Sequence, residues 1–328
     1  MLYRRLGRSG LKLSALSFGS WVTFGSQVDQ SAAIDLLACA FDHGINFFDN
    51  AETYAHGESE RLMGRAFRNL GWSRDRFCVS SKAFYGSVQN PAPNQYGLSR
   101  KHLVEACHQA LKRLDLDYLD LFFCHRPDPE TPIEEIVVTM STLIQQGKIF
   151  YWGTSEWPSD WIEEAIRKAH DLNMQPPLME QPQYNLFVRK RVEVEYELLC
   201  QTEGLGLTTW SPLASGILTG KYKDGSRIPP GSRLGLPGYI WLRGRLQGET
   251  GQRQLKAACD LVRLSHENGL TPAALAIAWC LSNPRVTTVI LGASQREQLL
   301  ENLKAIEYLP QIRDLLKSRL ESLYPDPA

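Results

Sequence analysis

Neither sign of charge is in excess in this chain. Lysine plus arginine and aspartate plus glutamate number 36 each, so no global field draws in nucleic acid or an acidic membrane surface, and any anion site has to be local. Long apolar runs are also missing, which excludes a membrane-spanning helix, and the opening Met-Leu-Tyr-Arg-Arg-Leu-Gly lacks the apolar core of a signal peptide. Cysteine is never paired: the seven residues stand singly at 39, 78, 107, 124, 200, 259 and 280. That excludes a disulfide framework or a zinc module and reads as core residues in a reducing, cytoplasmic setting. No Gly-x-Gly-x-x-Gly follows an apolar run, no segment repeats, and no linker or low-complexity tract divides the chain. What is present is 43% hydrophobic residues over 328 positions, enough for a large core in one barrel or two ordinary domains.

Strand and helix patterns then alternate along the chain. A hairpin, Tyr3 to Leu6 and Leu11 to Leu13 about the turn Gly7-Arg8-Ser9-Gly10, comes first, placed to cover or plug one end of the fold. Leu16 to Phe18 is a strand, and Ser31 is placed to cap a helix whose Ile34, Leu37, Ala38 and Phe41 share a face. Ile45 to Phe48 is a strand ending at Asp49, with a helix over 58–70 behind it. Phe77 to Ser81 ends at Lys82, and a loop from Ala83 to Leu98, long enough to lie over a pocket, leads to a helix capped by Ser99. Tyr118 to Cys124 ends at His125, followed by a capping box from Thr131 to Glu134 with Pro132 at the first helical position. Tyr151 to Thr154 ends at Ser155, Leu178 to Glu180 ends at Gln181 before a helix over 192–202, and Leu205 to Thr209 ends at Trp210. An irregular segment from Tyr222 to Glu249 reads as a lid, helices follow near 255–266 and from Pro272, and Val286 to Leu291 is the eighth strand. A second capping box, Ser294 to Glu297, opens the last helical region. Eight strands in strict alternation with helices predict an α/β fold, a (β/α)8 TIM barrel, as a single domain over 1–328 with an N-terminal hairpin and long loops at its C-terminal face.

The ends of barrel strands ring one mouth, so Asp49, Lys82 and His125 converge there, joined by Tyr54 from the loop after the second strand. A phenol, with an ordinary pKa of about 10, is a poor acid at neutral pH; an ammonium beside it lowers that value, a carboxylate fixes the lysine, and an imidazole orients a carbonyl oxygen. Together they form a proton-donating device for an oxygen that becomes an alkoxide as hydride reaches the carbon. Each has an ordinary structural use as well: a rim ion pair, a satisfied histidine, a core tyrosine. The helix N-terminus after the eighth strand, with Arg296, Lys221 and Arg233, attracts phosphate. Trp210 offers a flat face for a nicotinamide ring, and Ser155 and Gln181 offer polar groups for its carboxamide.

These residues resemble the aldo-keto reductase superfamily across essentially the whole chain. Asp49, Tyr54, Lys82 and His125 match its catalytic tetrad in the contexts Phe-Phe-Asp-Asn-Ala-Glu-Thr-Tyr, Ser-Ser-Lys and Cys-His-Arg-Pro-Asp. Gly-Ser-Trp-Val-Thr-Phe-Gly, Tyr-Trp-Gly-Thr-Ser, Thr-Trp-Ser-Pro-Leu-Ala, Gly-Tyr-Ile-Trp-Leu and Leu-Gly-Ala-Ser are most similar to the branch containing β-subunits of voltage-gated potassium channels and their bacterial relatives. The resemblance implies NADPH in an extended pose, with NADP preferred over NAD. Gly19, Trp21, Gln27 and Asp49 would line the nicotinamide end, with Ser155 and Gln181 on the carboxamide and Trp210 on the ring. Ser211, Pro212, Leu213, Ala214 and Gly216 would follow the pyrophosphate beside Lys221. Arg233, Ser294 and Gln298, next to Gly292, would hold the 2′-phosphate, and Glu301 and Asn302 the adenine. A homotetramer is also implied.

The chain departs from the animal channel subunits at three places. They carry asparagine where this chain has His125, so the tetrad is complete here. They carry arginine at Glu156 and tyrosine at Gly231, which implies two altered cofactor contacts and faster loss of nucleotide. Their long N-terminal inactivating extension is not expected, since the chain begins almost at the hairpin. The expected activity is NADPH-dependent reduction of aldehydes and ketones; the alternative is a redox-sensing regulatory subunit read by a membrane channel partner.

Overall fold

Cys78–Ala83, Leu119–Cys124 and Val286–Leu291 are buried at every position, the mark of strands covered on both faces. In the computed structural model, which describes residues 1–223, 225, 228–312 and 316–325, they belong to a closed barrel. An antiparallel hairpin, β1 (Tyr3–Arg5) and β2 (Lys12–Ser14), precedes it. The barrel strands are β3 (Leu16–Gly19), β4 (Phe47–Asp49), β5 (Cys78–Ala83), β6 (Leu119–Cys124), β7 (Ile149–Thr154), β8 (Met179–Glu180), β9 (Gly206–Thr209) and β10 (Val286–Leu291). All pair in parallel, and β10 closes the ring by lying between β9 and β3.

The outer layer consists of α1 (Gln30–Asp42), α2 (Glu58–Leu70), α3 (Arg100–Leu114), α4 (Ile133–Gln145), α5 (Ser159–Asp171), α6 (Glu197–Thr202), α7 (Ile240–Gln247), α8 (Glu249–Glu267), α9 (Pro272–Ser282), α10 (Arg296–Leu303), α11 (Ala305–Gln311) and α12 (Lys317–Leu323). Apolar stripes of the barrel helices face inward, whereas α7 and α12 pack on α8. Leu62, Met63, Ala66 and Phe67 of α2 and Leu103, Ala106, Ala110 and Leu114 of α3 are buried in this way.

Several helix starts differ from the sequence expectation. The side chain of Asp29, rather than Ser31, caps α1 by accepting from the Ala32 amide at 2.9 Å, and the buried stripe is Ala33, Leu36, Leu37 and Ala40, with Ile34 and Phe41 at its edge. At α4 Pro132 is the cap residue, and the Thr131 hydroxyl donates to Asp128 at 2.8 Å instead of closing a capping box. Ser294 bonds to the Gln298 side chain, and α10 begins at Arg296 without the expected box. The expected helix over 192–202 is split into a π turn, Arg191–Glu195, and α6. Tyr196 lies at the break with its buried hydroxyl donating to Trp157 O at 2.6 Å, so a tertiary anchor overrides the helical ladder. The segment from Tyr222 to Glu249, where positions 224, 226 and 227 lie outside the described residues, carries a helix, α7, that its glycine and proline content concealed.

The hairpin is a plug. Its Leu6 and Leu13 join Phe47, Cys78, Leu121, Phe123 and Met179 in one buried cluster inside the barrel. Gly7 turns the chain at φ +51, and a Cβ there would lie 2.3 Å from Gly204 O and 2.8 Å from Gly206 N at the start of β9. Substituting Gly7→Ala should therefore cost about 2 kcal/mol or more, from the left-handed backbone and the collision together. A fall in the urea midpoint reads this directly; an unchanged midpoint would mean the turn is not seated against β9.

Candidate active site

The barrel register places inward-pointing side chains in layers, and the uppermost layer is polar. Lys82 on β5 is 0% exposed and Asp49 on β4 3%. The three N–H groups of the Lys82 ammonium face four acceptors: both Asp49 oxygens at 2.8 and 2.7 Å, Asn50 O at 2.8 Å and the Tyr54 hydroxyl oxygen at 3.2 Å. Asp49 also accepts from the Ser80 hydroxyl at 2.7 Å and from Gln181 Nε2 at 3.1 Å. Burial draws Lys82 below its ordinary 10.5, and the Asp49 carboxylate opposes that shift.

Tyr54 is held in place by an unusual backbone. Ala55, His56 and Gly57 have φ of 48°, 53° and 84° in succession, immediately before α2. Two non-glycine residues in the left-handed region cost about 1–2 kcal/mol each, and the surrounding packing sustains them. The sequence reading expects the ammonium to lower the Tyr54 pKa. In the structure burial wins, with the Asp49 charge adding to it, and the phenol sits well above its ordinary 10. Tyr54 therefore holds its proton at neutral pH.

His125 follows β6, its amide donating to Ala83 O at 3.0 Å. Its ring meets those of Tyr54 and Tyr85 edge-on, with centroids 5.9 and 5.4 Å apart. Burial, then the charges of Lys82 and Arg126, hold the imidazole well below 6.5, so it is neutral. Nδ1 has no hydrogen-bond partner among the described residues.

Two buried acids that sequence reasoning overlooks shape the loop after β5. Glu52 accepts from the Phe84 and Gly86 amides at 2.8 Å each and meets His102 Nε2 at 3.1 Å. Asp128 accepts from the Leu98 amide at 2.7 Å. The loop is pinned at both ends, and Tyr85 is delivered to the site.

Asp49, Tyr54, Tyr85 and His125 line one end of a cavity of about 710 Å³, within the range of about 300–1,000 Å³ usual for small-molecule sites. Gly19, Trp21, Gln27, Asp49, Tyr54, His125, Ser155, Gln181, Trp210, Ser211, Pro212, Leu213, Gly216, Lys221, Arg233, Gly292, Ser294, Gln298, Glu301 and Asn302 all line it. Lys82 stands behind Asp49 and Tyr54, and the Ala214 side chain is buried in the core instead. Arg296 pairs with Asp35 on α1 at 2.8 Å and does not supply the phosphate charge expected of it. Trp241 is exposed, whereas Arg233 and Tyr239 from the same segment reach Trp21. Tyr85, Arg126, Ser215, Thr219 and Ser232 are lining residues absent from the sequence reading; Arg126 could have been found as the residue next to His125, and Tyr85 as the aromatic in the loop over the pocket.

The far end of the cavity has features that suit an anion. Burial and the neighbouring Arg233 charge hold Lys221 below its ordinary 10.5, with Glu301 in opposition. Two cations kept close against their repulsion suit an anion between them. Ser211, Ala214, Ser215 and Gly216 have φ of 56°, 46°, 59° and 90°, the kind of backbone that forms anion-binding concavities. The Ser211 hydroxyl is buried without a partner among the described residues. Glu156, itself at φ +60°, accepts from the Trp210 indole at 3.0 Å and the Gln183 amide at 2.6 Å.

Because the folded-state pKa of His125 lies below the unfolded value near 6.5, the unfolded chain binds the proton more tightly. Stability is then full above about pH 6.5 and falls as pH drops, by up to about 1.4 kcal/mol per unit until the folded pKa is reached. His125→Asn should lose less stability than the parent between pH 7.5 and 5.5 in urea titrations. Equal losses would mean that the ring is not held neutral.

The model of the family described as Aldo/keto reductase family matches residues 15–317. A probable voltage-gated potassium channel subunit beta of Arabidopsis thaliana is 50% identical over 323 residues, 98% of this chain and 96% of that protein. The corresponding protein of Oryza sativa subsp. japonica is 49% identical with the same coverage. A putative voltage-gated potassium channel subunit beta of Schizosaccharomyces pombe is 46% identical over 98% of this chain and 92% of its own length. With that coverage, the chain belongs to the aldo/keto reductase family, oxidoreductases that act on small carbonyl compounds with a nicotinamide dinucleotide.

Proposed function

We propose that the chain is an NADPH-dependent reductase of aldehydes and ketones, with Tyr54 as the proton donor. The observation that carries this reading is the Lys82 ammonium, shared between Asp49 and the Tyr54 hydroxyl beside a neutral His125. When bound, the reduced nicotinamide supplies hydride to the carbonyl carbon. Tyr54 gives its proton to the carbonyl oxygen as charge develops there, and Lys82, 3.2 Å away, stabilises the phenolate left behind. Asp49 keeps Lys82 charged and aimed, and the neutral His125 ring orients the carbonyl oxygen. Ser155 and Gln181 would hold the carboxamide, and Trp210 would lie against the ring. Lys221, Arg233, Ser294 and Gln298 form a cationic and polar pocket suited to a 2′-phosphate, which is the reason for preferring NADPH to NADH.

The names of the relatives favour a second reading, a regulatory subunit whose nucleotide state a membrane channel reads. Capture of a channel by the purified protein from membranes would support it. A homotetramer belongs to either reading and is measured by sedimentation.

Tyr54→Phe should lower kcat for aldehyde reduction by about a hundredfold or more while NADPH still binds, measured by nucleotide oxidation and fluorescence titration. Undiminished turnover in that variant, or none in the parent, would remove the reductase reading. Arg233→Ala should weaken NADPH about tenfold or more with a smaller effect on NADH. Equal losses for the two nucleotides would place the 2′-phosphate elsewhere.

A further inference from the structure

The carboxylates around the reacting end are all engaged. Asp49 is held by Lys82, Ser80 and Gln181. Glu52 takes the Phe84 and Gly86 amides and His102. Glu156 takes the Trp210 indole and the Gln183 amide and pairs with Arg191 at 3.6 Å. One cation in the same wall is not matched by any of them. Arg126, half-buried, lines the cavity directly after His125, and no carboxylate among the described residues pairs with it.

Its guanidinium is nonetheless oriented. Nη1 donates to His125 O and, at 3.3 Å, to the Ser155 hydroxyl at the end of the neighbouring strand β7. The group lies 5.8 Å from the centre of the Tyr85 ring, which Glu52 and Asp128 hold in place through the loop. An arginine fixed by one nitrogen keeps the rest of its planar donor set for a ligand, and two parallel N–H groups match a carboxylate. The charge of Arg126 acts on Tyr54, Lys82 and His125 alike, so it lies close to the point of reaction. With Lys82 neutralised by Asp49 and His125 uncharged, that end of the cavity carries a net positive charge.

We infer that Arg126 is a specificity-determining residue that receives a carboxylate on the substrate, and that the preferred carbonyl compounds are oxo acids. The inference rests on the reductase reading above and names its substrate class. The substrate carboxylate occupies the guanidinium fork while its carbonyl oxygen meets Tyr54 and His125, so chain length between the two groups decides which acid fits best.

The test is a ladder of ω-oxo acids from glyoxylate to 6-oxohexanoate, each beside its methyl ester, which keeps the shape and removes the charge. At the best-fitting length the acid should exceed its ester in kcat/KM by about tenfold to a hundredfold, chiefly through KM. Arg126→Met should bring that ratio close to unity. Arg126→Lys should retain part of the preference, since lysine keeps the charge and loses the fork. Esters reduced as well as acids at every length would overturn the inference while leaving the reductase reading intact. If no acid or ester were reduced, the reductase reading itself would fall, and the inference with it. A loss of NADPH affinity in Arg126→Met, read by fluorescence titration and as large as the loss of acid preference, would assign the guanidinium to the nucleotide and overturn the proposal.

Discussion

A lysine with no exposed surface is the constraint around which this barrel is arranged. An isolated ammonium could not stay charged there, and removing one partner of such a buried pair typically costs about 3–5 kcal/mol. The structure meets that demand with a full set of acceptors: a bidentate carboxylate from β4, a backbone carbonyl from the residue after it, and a phenol from the loop beyond. The demand passes outward. Asp49 has lone pairs left over, and these are satisfied by Ser80 from β5 and Gln181 after β8, on the far side of the barrel. Tyr54 and a candidate nucleotide contact are thereby parts of one hydrogen-bond network, so Gln181 is placed by the same carboxylate that places Lys82.

The cavity has two electropositive ends joined by aromatic rings. At one end Arg126 stands beside a neutral histidine; at the other Lys221 and Arg233 lie near polar groups of α10. Between them Trp21 packs edge-on against Trp210 at 5.5 Å and near Tyr54 at 6.4 Å, and Arg233 lies over Trp21 at 4.9 Å. The segment carrying Arg233 and Tyr239 therefore meets the loop after β3 across the cavity. The indole face holds the guanidinium in part, so Trp21 bears on how firmly Arg233 is presented to the cavity.

The strand ends were legible because an apolar run that stops at a charged residue has one simple reading. Phe47-Phe48 stopping at Asp49, and the buried run through Ser81 stopping at Lys82, needed no knowledge of distant partners. Helix starts were less legible. Thr131, Ser31 and Ser294 all carry the hydroxyl a cap needs, but Thr131 is drawn to Asp128, Ser294 to Gln298, and Asp29 precedes Ser31. Glu52 escaped notice for a similar reason. Two residues before Tyr54 it reads as a solvated loop acid, and its use depends on the Phe84 and Gly86 amides more than thirty positions away. The phenol pKa of Tyr54 was misjudged because the sequence exposes the neighbouring charge but not the depth of burial, and depth dominates.

Glu156 shows why the sign of a neighbouring charge alters more than one contact. Arginine, the residue of the animal channel subunits at this position, has donors only. The carboxylate here accepts the Trp210 indole N–H and the Gln183 amide, and it draws Arg191 from the π turn before α6. No arginine could accept these two bonds, which tie Trp210 and Gln183 to the residue after Ser155 in this chain. Behind Glu156, burial pushes the Glu180 carboxyl up to about 8, which leaves that side chain largely protonated at neutral pH and spares the pair a second buried negative charge. Glu156 thus gives the ring at the end of β9 a fixed anionic support.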